Sequence, residues 1–142
     1  MAQHPHVGFR VIGTIKEIKG ECHAGHKVGD RQVGLAILRK NGFVSRDAGA
    51  RKGTLRTPAA VLMGKRITVN ANVKGLLRVR ITDLHGAALP GFDWADCSPI
   101  RGDSVSHPIS WKGGIAHLAN KPVHLEFEVH QGELYGFDVA GL

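Results

Sequence analysis

The segment that decides the fold class is residues 123–139, which have the sequence VHLEFEVHQGELYGFDV. Apolar and polar residues alternate in its first half, where Val123, Leu125, Phe127 and Val129 are separated by His124, Glu126 and Glu128. Successive side chains of a strand point to opposite faces, so this pattern predicts a strand that buries the apolar set and exposes both glutamates. Gln131-Gly132 predicts a turn and residues 134–139 predict a returning strand, which together indicate a β-hairpin.

Two other segments alternate in a similar way. Residues 67–81 predict a hairpin that turns at Lys74-Gly75, and residues 33–47 predict one that turns at Lys40-Asn41-Gly42, because Asn-Gly favours the positive φ angles of hairpin turns. Short strands are expected at 53–57 and 60–63, with a break at Pro58. Residues 86–114 are rich in Gly, Pro, Asp and Ser, which predicts a long connection of the kind that often carries function.

Seven to nine short strands with intervening turns predict an all-β protein, specifically an antiparallel β-sandwich of jelly-roll type over residues 32–142. The chain has 142 residues, 42% of them hydrophobic, which suits about one such domain. Residues 1–31 are predicted to be an N-terminal appendage, made of a strand within residues 7–18 and a loop rich in Gly, His and Cys.

The net charge of +7 is concentrated in residues 32–82, which hold eleven Lys and Arg against one Asp. Several of these cations alternate with apolar residues, as in Leu77-Arg78-Val79-Arg80-Ile81, and this is typical of a solvated sheet face. Phe43 is the only aromatic residue between 32 and 82, whereas single-stranded nucleic acid is usually bound by several stacking aromatics. Nucleic acid is therefore not the expected partner.

The sequence predicts neither a membrane-spanning helix nor a signal peptide. No run approaches the ~20 apolar residues of a membrane-spanning helix, so no membrane partner is expected. Met1–Arg10 has no apolar run, so no signal peptide is expected, and a cytoplasmic location is the expectation for the chain as encoded. Cys22 and Cys97 are the only cysteines, and in such a chain they are expected to be free thiols.

An ordered set of motifs runs through most of the chain. They are RKNGFVS (39–45), GTL (53–55), VNA (69–71), LPGF (89–92), DC (96–97), PI (99–100), GDS (102–104), WKGG (111–114) and KPV (121–123), followed by Leu125, Phe127, Leu134, Tyr135 and Phe137. Over residues 33–139 they resemble the β-sandwich module at the C-terminal end of secreted bacterial proteins related to glycoside hydrolases, chiefly those with a five-bladed propeller catalytic domain. The resemblance implies a non-catalytic accessory module, whose partner is a carbohydrate or a glycoside hydrolase catalytic domain. The propeller that carries the catalytic carboxylates is absent from these 142 residues, which implies no hydrolytic activity.

Residues 7–31 resemble a different group of proteins. The stretches IKEIKGEC (15–22) and AGHKVGD (24–30) are similar to the opening of a family of small, uncharacterised prokaryotic proteins. The two resemblances meet near Arg31, and this places the predicted boundary between residues 31 and 32.

Five residues of the Pro- and Gly-rich region are candidates for carbohydrate binding: Trp94, Asp96, Arg101, Asp103 and Trp111. Aromatic rings stack on the apolar face of a sugar, while a few polar groups fix its hydroxyls. Trp94 lies in a predicted turn and is the better exposed candidate. Trp111 alternates with Ile109 as in a strand, which favours a place in the core.

Two sets of residues are candidate metal ligands. Asp93, Asp96 and Asp103 offer carboxylates for calcium, although aspartates in such loops more often accept backbone N–H bonds in turns. Cys22, His23 and His26 offer three of the four ligands of a structural zinc site, and they support the alternative function, a small metal-binding protein or enzyme. No Walker A, GxGxxG, HExxH or nucleophile-elbow motif is present, so no enzyme activity is expected, and no cofactor is expected apart from the calcium alternative.

Overall fold

Strands make up nearly all of the regular structure. The computed structural model describes residues 6–14, 27–29, 31–118 and 121–141. Its strands are β1 (His6–Thr14), β2 (Arg31–Arg39), β3 (Arg46–Ala48), β4 (Gly53–Arg56), β5 (Ala60–Val61), β6 (Arg66–Thr82), β7 (Ile100–Ile109) and β8 (Pro122–Ala140). A 3-10 helix at Ile115–Leu118 is the one helical element among these residues. Because the other regular elements are all strands, the predicted all-β class is confirmed. Every strand pair is antiparallel.

The chain divides into two compact units, residues 1–40 and residues 41–142. In the first unit β1 and β2 form a two-stranded antiparallel sheet, in which His6 is opposite Arg39 and Thr14 is opposite Arg31. The predicted hairpin over residues 33–47 is therefore wrong, because β2 pairs with the strand before it and β3 pairs with β8. The boundary predicted between residues 31 and 32 separates two sequence resemblances, and it stays a prediction.

The second unit is built on one long strand pair, β6 with β8. The pair extends from Arg66 opposite Ala140 to Thr82 opposite His124. Both predicted hairpins are therefore wrong, since residues 67–81 and residues 123–139 each form a single strand and pair with one another. The residues that suggested turns lie instead at a break in the register between Val73 and Leu76.

The break in register is a β-bulge whose geometry requires glycine. Lys74 and Gly75 lie opposite Gln131 alone, and Gln131 has a φ of 48°. A Cβ atom at position 75 would lie 2.3 Å from the carbonyl oxygen of His130, so only glycine allows the two backbones to approach this closely. A second shift lies between Asn70 and Ala71, where Tyr135 is the extra residue of β8. Bulges increase the local twist, and here they accompany the curl of the sheet.

The remaining strands extend this pair on both sides. β7 pairs with the other edge of β6, while β3, β4 and β5 follow one another along the other edge of β8. The result is a curled antiparallel half-barrel. The predicted strand at 53–57 is confirmed as Gly53–Arg56, and the one at 60–63 is limited to Ala60–Val61. β7 lies inside the region predicted to be a long connection, residues 86–114, so that prediction is wrong for ten residues.

The inner face of the curled sheet forms the core. Val123, Leu125, Phe127 and Val129 are all buried, as predicted from their alternation. They pack in one cluster with inward residues of β6, chiefly Ile67, Val69, Leu77, Val79 and Ile81. Glu126 and Glu128 point outward, but their side chains are only 13% and 14% exposed, which contradicts the prediction that they are exposed. No helix among the described residues is long or apolar enough to span a membrane.

Candidate binding surface

Two rows of charged side chains cross the outer face of the sheet. In the first row Arg56 of β4, Glu126 of β8 and Arg80 of β6 lie side by side in the strand register. The Nε of Arg80 donates to Glu126 Oε2 at 2.7 Å, and the Nε of Arg56 lies 3.6 Å from Glu126 Oε1. Because two guanidinium groups flank one carboxylate, Glu126 is covered by cations, and this explains its low exposure.

The second row lies two residues further along each strand. Glu128 of β8 stands between Thr54 of β4 and Arg78 of β6. Its carboxylate binds Lys52, whose Nζ lies 3.1 Å from Glu128 Oε2. Arg78 makes no ion pair with any residue of the described part of the chain, and its buried Nε has no hydrogen-bond partner.

Trp94 lies beside the first row, in a turn of the connection between β6 and β7. Asp93 Oδ1 accepts the Trp94 N–H at 2.8 Å, and Asp96 Oδ2 accepts the Asp93 N–H at 3.2 Å. The guanidinium carbon of Arg80 lies 4.8 Å from the centre of the Trp94 ring, within the range of a cation–π contact. The indole is partly exposed. The turn therefore holds one aromatic ring against the cationic rows.

Lys112 closes the other side of this turn. Its Nζ lies 3.1 Å from Asp96 Oδ1, and its backbone N–H donates to the Asp96 carbonyl at 3.2 Å. Asp96 thus accepts bonds from both Asp93 and Lys112, as the turn interpretation of these aspartates requires.

Trp111 has a structural position. Its indole N–H donates to the Val79 carbonyl at 2.7 Å, while the Val79 N–H donates to the sulfur of Cys97 at 3.3 Å. Cys97 and Trp111 are themselves joined by an isolated antiparallel bridge. The side chains of Trp111 and Cys97 therefore provide hydrogen-bond partners for the backbone of Val79, at the edge of β6 beyond the end of β7. Phe92 packs against Trp111 with the ring centres 5.6 Å apart.

Cys97 is a free thiol in the core. Burial raises the pKa of this thiol above its ordinary value of 9.0, and the hydrogen bond from Val79 and the positive charge of Arg78 oppose that effect. A protonated, buried thiol is unreactive, so Cys97 is not a candidate nucleophile.

The five predicted carbohydrate-binding residues do not form one cluster. Trp94, Asp96 and Trp111 lie near Val79 and Arg80 of β6. Arg101 and Asp103 are exposed on β7. Arg101 follows Ile100, which is opposite Leu77, whereas Asp103 is opposite Asn72. Asn72 and Arg80 are eight residues apart, about 25 Å along the strand at roughly 3.3 Å per residue.

The three aspartates proposed as calcium ligands also do not form one cluster in the structure. Asp103 lies on β7, away from the turn of Asp93 and Asp96. Within residues that the structure describes, no three His, Cys, Asp or Glu side chains lie close enough together to hold a metal ion. Cys22, His23 and His26 lie outside the described residues, so the zinc hypothesis stays a prediction.

Two depressions lie away from this surface. One, of about 490 Å³, has a mixed lining that includes Asp47, Asn72, Lys74, Gln131 and Glu133. Asp47 and Glu133 are directly opposite each other on β3 and β8. The other, of about 520 Å³, is apolar and includes Val61, Met63 and Phe137.

Sequence reasoning missed the cationic partners of the site. The sequence predicts Arg80 only as a solvated charge and does not single out Arg56 or Lys112. The contacts that join these cations to Glu126, Trp94 and Asp96 connect distant parts of the chain. The sequence does contain one relevant pattern: Arg78 and Arg80 alternate along β6, as Glu126 and Glu128 do along β8. This pattern predicts the ion pairs only once β6 and β8 are known to pair. Comparison with family models, curated proteins and solved structures finds no match.

Proposed function

We propose that this protein is a non-catalytic accessory module that works with glycoside hydrolases and binds carbohydrate weakly through the surface around Trp94. The observation that carries the proposal is the position of Trp94. Its partly exposed ring is held on the outer face of the sheet by Arg80, with the polar groups of Asp93, Asp96 and Lys112 around it. An aromatic platform edged by hydrogen-bonding groups is the usual design of a sugar-binding surface.

The sequence resemblance supplies the carbohydrate context of the proposal. The jelly-roll-like sandwich of the resembled modules belongs to the same proposal, and the all-antiparallel, curled sheet is compatible with it. Packing against a hydrolase catalytic domain is the other role that the resemblance implies, and the same exposed ring would suit it.

Affinity for sugars should be low. A site built on one partly exposed ring removes few polar groups and little apolar area from water. The expected Kd is about 0.1–1 mM, which corresponds to about −4 to −5.5 kcal/mol.

The test is a glycan array followed by calorimetric titration of the best oligosaccharide. Trp94→Ala should abolish binding, while the melting temperature changes little because the ring is not part of the buried core. Phe43→Ala is the matched control, since Phe43 is 73% exposed and belongs to the segment before β3. It should leave binding unchanged.

Three results would contradict the proposal. The first is sugar binding that survives Trp94→Ala, and the second is an array on which no glycan binds. The third is release of reducing sugar by the purified protein. Loss of that release in Asp96→Asn, Asp103→Asn or Glu133→Gln would identify the catalytic carboxylate and overturn the non-catalytic assignment.

A further inference from the structure

On the outer face of the sheet, the side chains of Lys52 and Arg56 are more exposed to solvent than the carboxylates that they contact. Lys52 and Arg56 are 62% and 43% exposed, whereas the glutamates that they contact are 13–14% exposed. Arg51, which precedes Lys52, is also exposed. An approaching ligand therefore meets guanidinium and ammonium groups first.

Arg78 is the one arginine of the two rows that has no anionic partner within the described residues. Its register neighbour Glu128 is bound by Lys52, and its own Nε is buried without a hydrogen-bond partner. A buried donor that lacks an acceptor costs free energy, and the cost is larger for a charged group. Arg80, two residues away on the same face, has Glu126, Asp93 and the Trp94 ring as partners.

This arrangement selects a particular ligand chemistry. A guanidinium group binds carboxylate and other oxyanions through two parallel N–H bonds, a geometry that a neutral hydroxyl does not match. Arg78 and Arg80 are separated by about 7 Å along the strand at roughly 3.3 Å per residue. A short acidic oligosaccharide could place one ring against Trp94 and a carboxylate on Arg78.

We propose that the Trp94 surface recognises an acidic glycan, in which a uronate carboxylate pairs with Arg78. This inference rests on the proposed function and names the class of sugar. Nucleic acid is also anionic, but Trp94 is the only aromatic ring that makes a cation–π contact with these rows in the described structure. Proteins that bind single strands usually stack several bases on aromatic rings.

The experiment compares trigalacturonate with its methyl ester, which has the same rings and no charge. The wild-type protein should bind the acid at least ~10-fold more tightly than the ester, and the preference should shrink as salt screens the charges. Arg78→Gln should reduce the preference to within about twofold, whereas Arg78→Lys should retain part of it. Arg66→Gln is the matched control, because Arg66 is exposed at the far end of the same strand, and it should keep the full preference.

Each contrary outcome points to a different failure. Equal binding of acid and ester, with loss of both in Trp94→Ala, would overturn the acidic-glycan inference and leave the proposed function intact. A preference that persists in Arg78→Gln would also overturn it. Tighter binding of a ten-nucleotide oligothymidylate than of trigalacturonate would assign the surface to nucleic acid. Absence of binding to any glycan would contradict both proposals. The acid–ester comparison needs no variant, so it stands even if Arg78→Gln does not fold.

Discussion

Replacing Gly75 by alanine tests the bulge that joins the two halves of β6. The new Cβ would lie 2.3 Å from the carbonyl oxygen of His130 and 3.1 Å from the Cβ of Gln131. Ordinary contacts between such atoms need more than 3 Å, so β6 and β8 must separate by about 1 Å at this point. A separation of that size breaks the adjoining hydrogen bonds of the ladder.

The expected cost is about 2–5 kcal/mol. Overpacking of a fitted site costs about 1–3 kcal/mol, and each lost ladder hydrogen bond adds about 0.5–1.5 kcal/mol. Urea denaturation monitored by tryptophan fluorescence measures this loss of unfolding free energy. The urea midpoint should fall, while the slope of the free energy against urea concentration stays unchanged. Gly136→Ala is the control on β8, because a Cβ there meets nothing within 4 Å, and it should be neutral or stabilising by up to about 1 kcal/mol.

Gly75→Asn separates the bulge from the hairpin turn that the sequence suggests. Asparagine tolerates the left-handed backbone of a turn, so a turn would accept it with little loss. Gly75 does not have a positive φ, and its restriction is the contact with His130, so asparagine should cost at least as much as alanine. If Gly75→Asn keeps wild-type stability while Gly75→Ala does not, the bulge interpretation is refuted.

Three further predictions concern the core and its edge. Leu125→Ala should cost about 2–5 kcal/mol in urea denaturation, because Leu125 is buried, and a loss under 1 kcal/mol would place it outside the core. Trp111→Phe should cost about 1–3 kcal/mol, since it leaves the Val79 carbonyl without its donor, and equal urea midpoints for variant and wild type would contradict this. The raised pKa of Cys97 stabilises the folded state fully below the thiol's ordinary value of 9.0, so that contribution should fall as the pH rises through the folded pKa. Cys97→Ser should flatten this alkaline loss in thermal melts at pH 8–11, and an unchanged profile would rule Cys97 out as its source.

Local alternation was enough to predict extended structure in most of β6 and β8 and to identify their buried faces. The burial of Val123, Leu125, Phe127 and Val129 follows directly from their spacing. Pairing could not be predicted in the same way. Lys74-Gly75 and Gln131-Gly132 have the composition of turns. A bulge also favours glycine, because a side chain would obstruct the close approach of the two backbones, so composition alone does not distinguish a bulge from a turn.

The Asn41-Gly42 turn illustrates the same limit. Asn41 does adopt a positive φ of 53°, as the dipeptide predicts. The segment after it nevertheless pairs with β8, more than eighty residues away in the chain, and only long-range contacts determine that choice. The turn motif therefore predicted the backbone of Asn41 but not the partner strand.

The candidate site was predictable only in part. Trp94 is a candidate because of its place among turn residues, and the structure places its ring beside Arg80. The separation of Asp103 from Trp94 was not predictable, because β7 lies in a segment that the sequence predicts to be a long connection. The role of Arg78 depends on Lys52 occupying its neighbour Glu128, a contact between residues 76 positions apart.

The most direct test of the account is to follow the two tryptophans separately. The chain has only two, so a ¹⁵N-labelled sample gives two indole N–H resonances, assigned by Trp94→Phe and Trp111→Phe. On titration with trigalacturonate the Trp94 indole should shift progressively and saturate, while the Trp111 indole, held by the Val79 carbonyl, should stay in place. A Trp94 resonance that does not move at saturating ligand, or a shift confined to Trp111, would contradict the account.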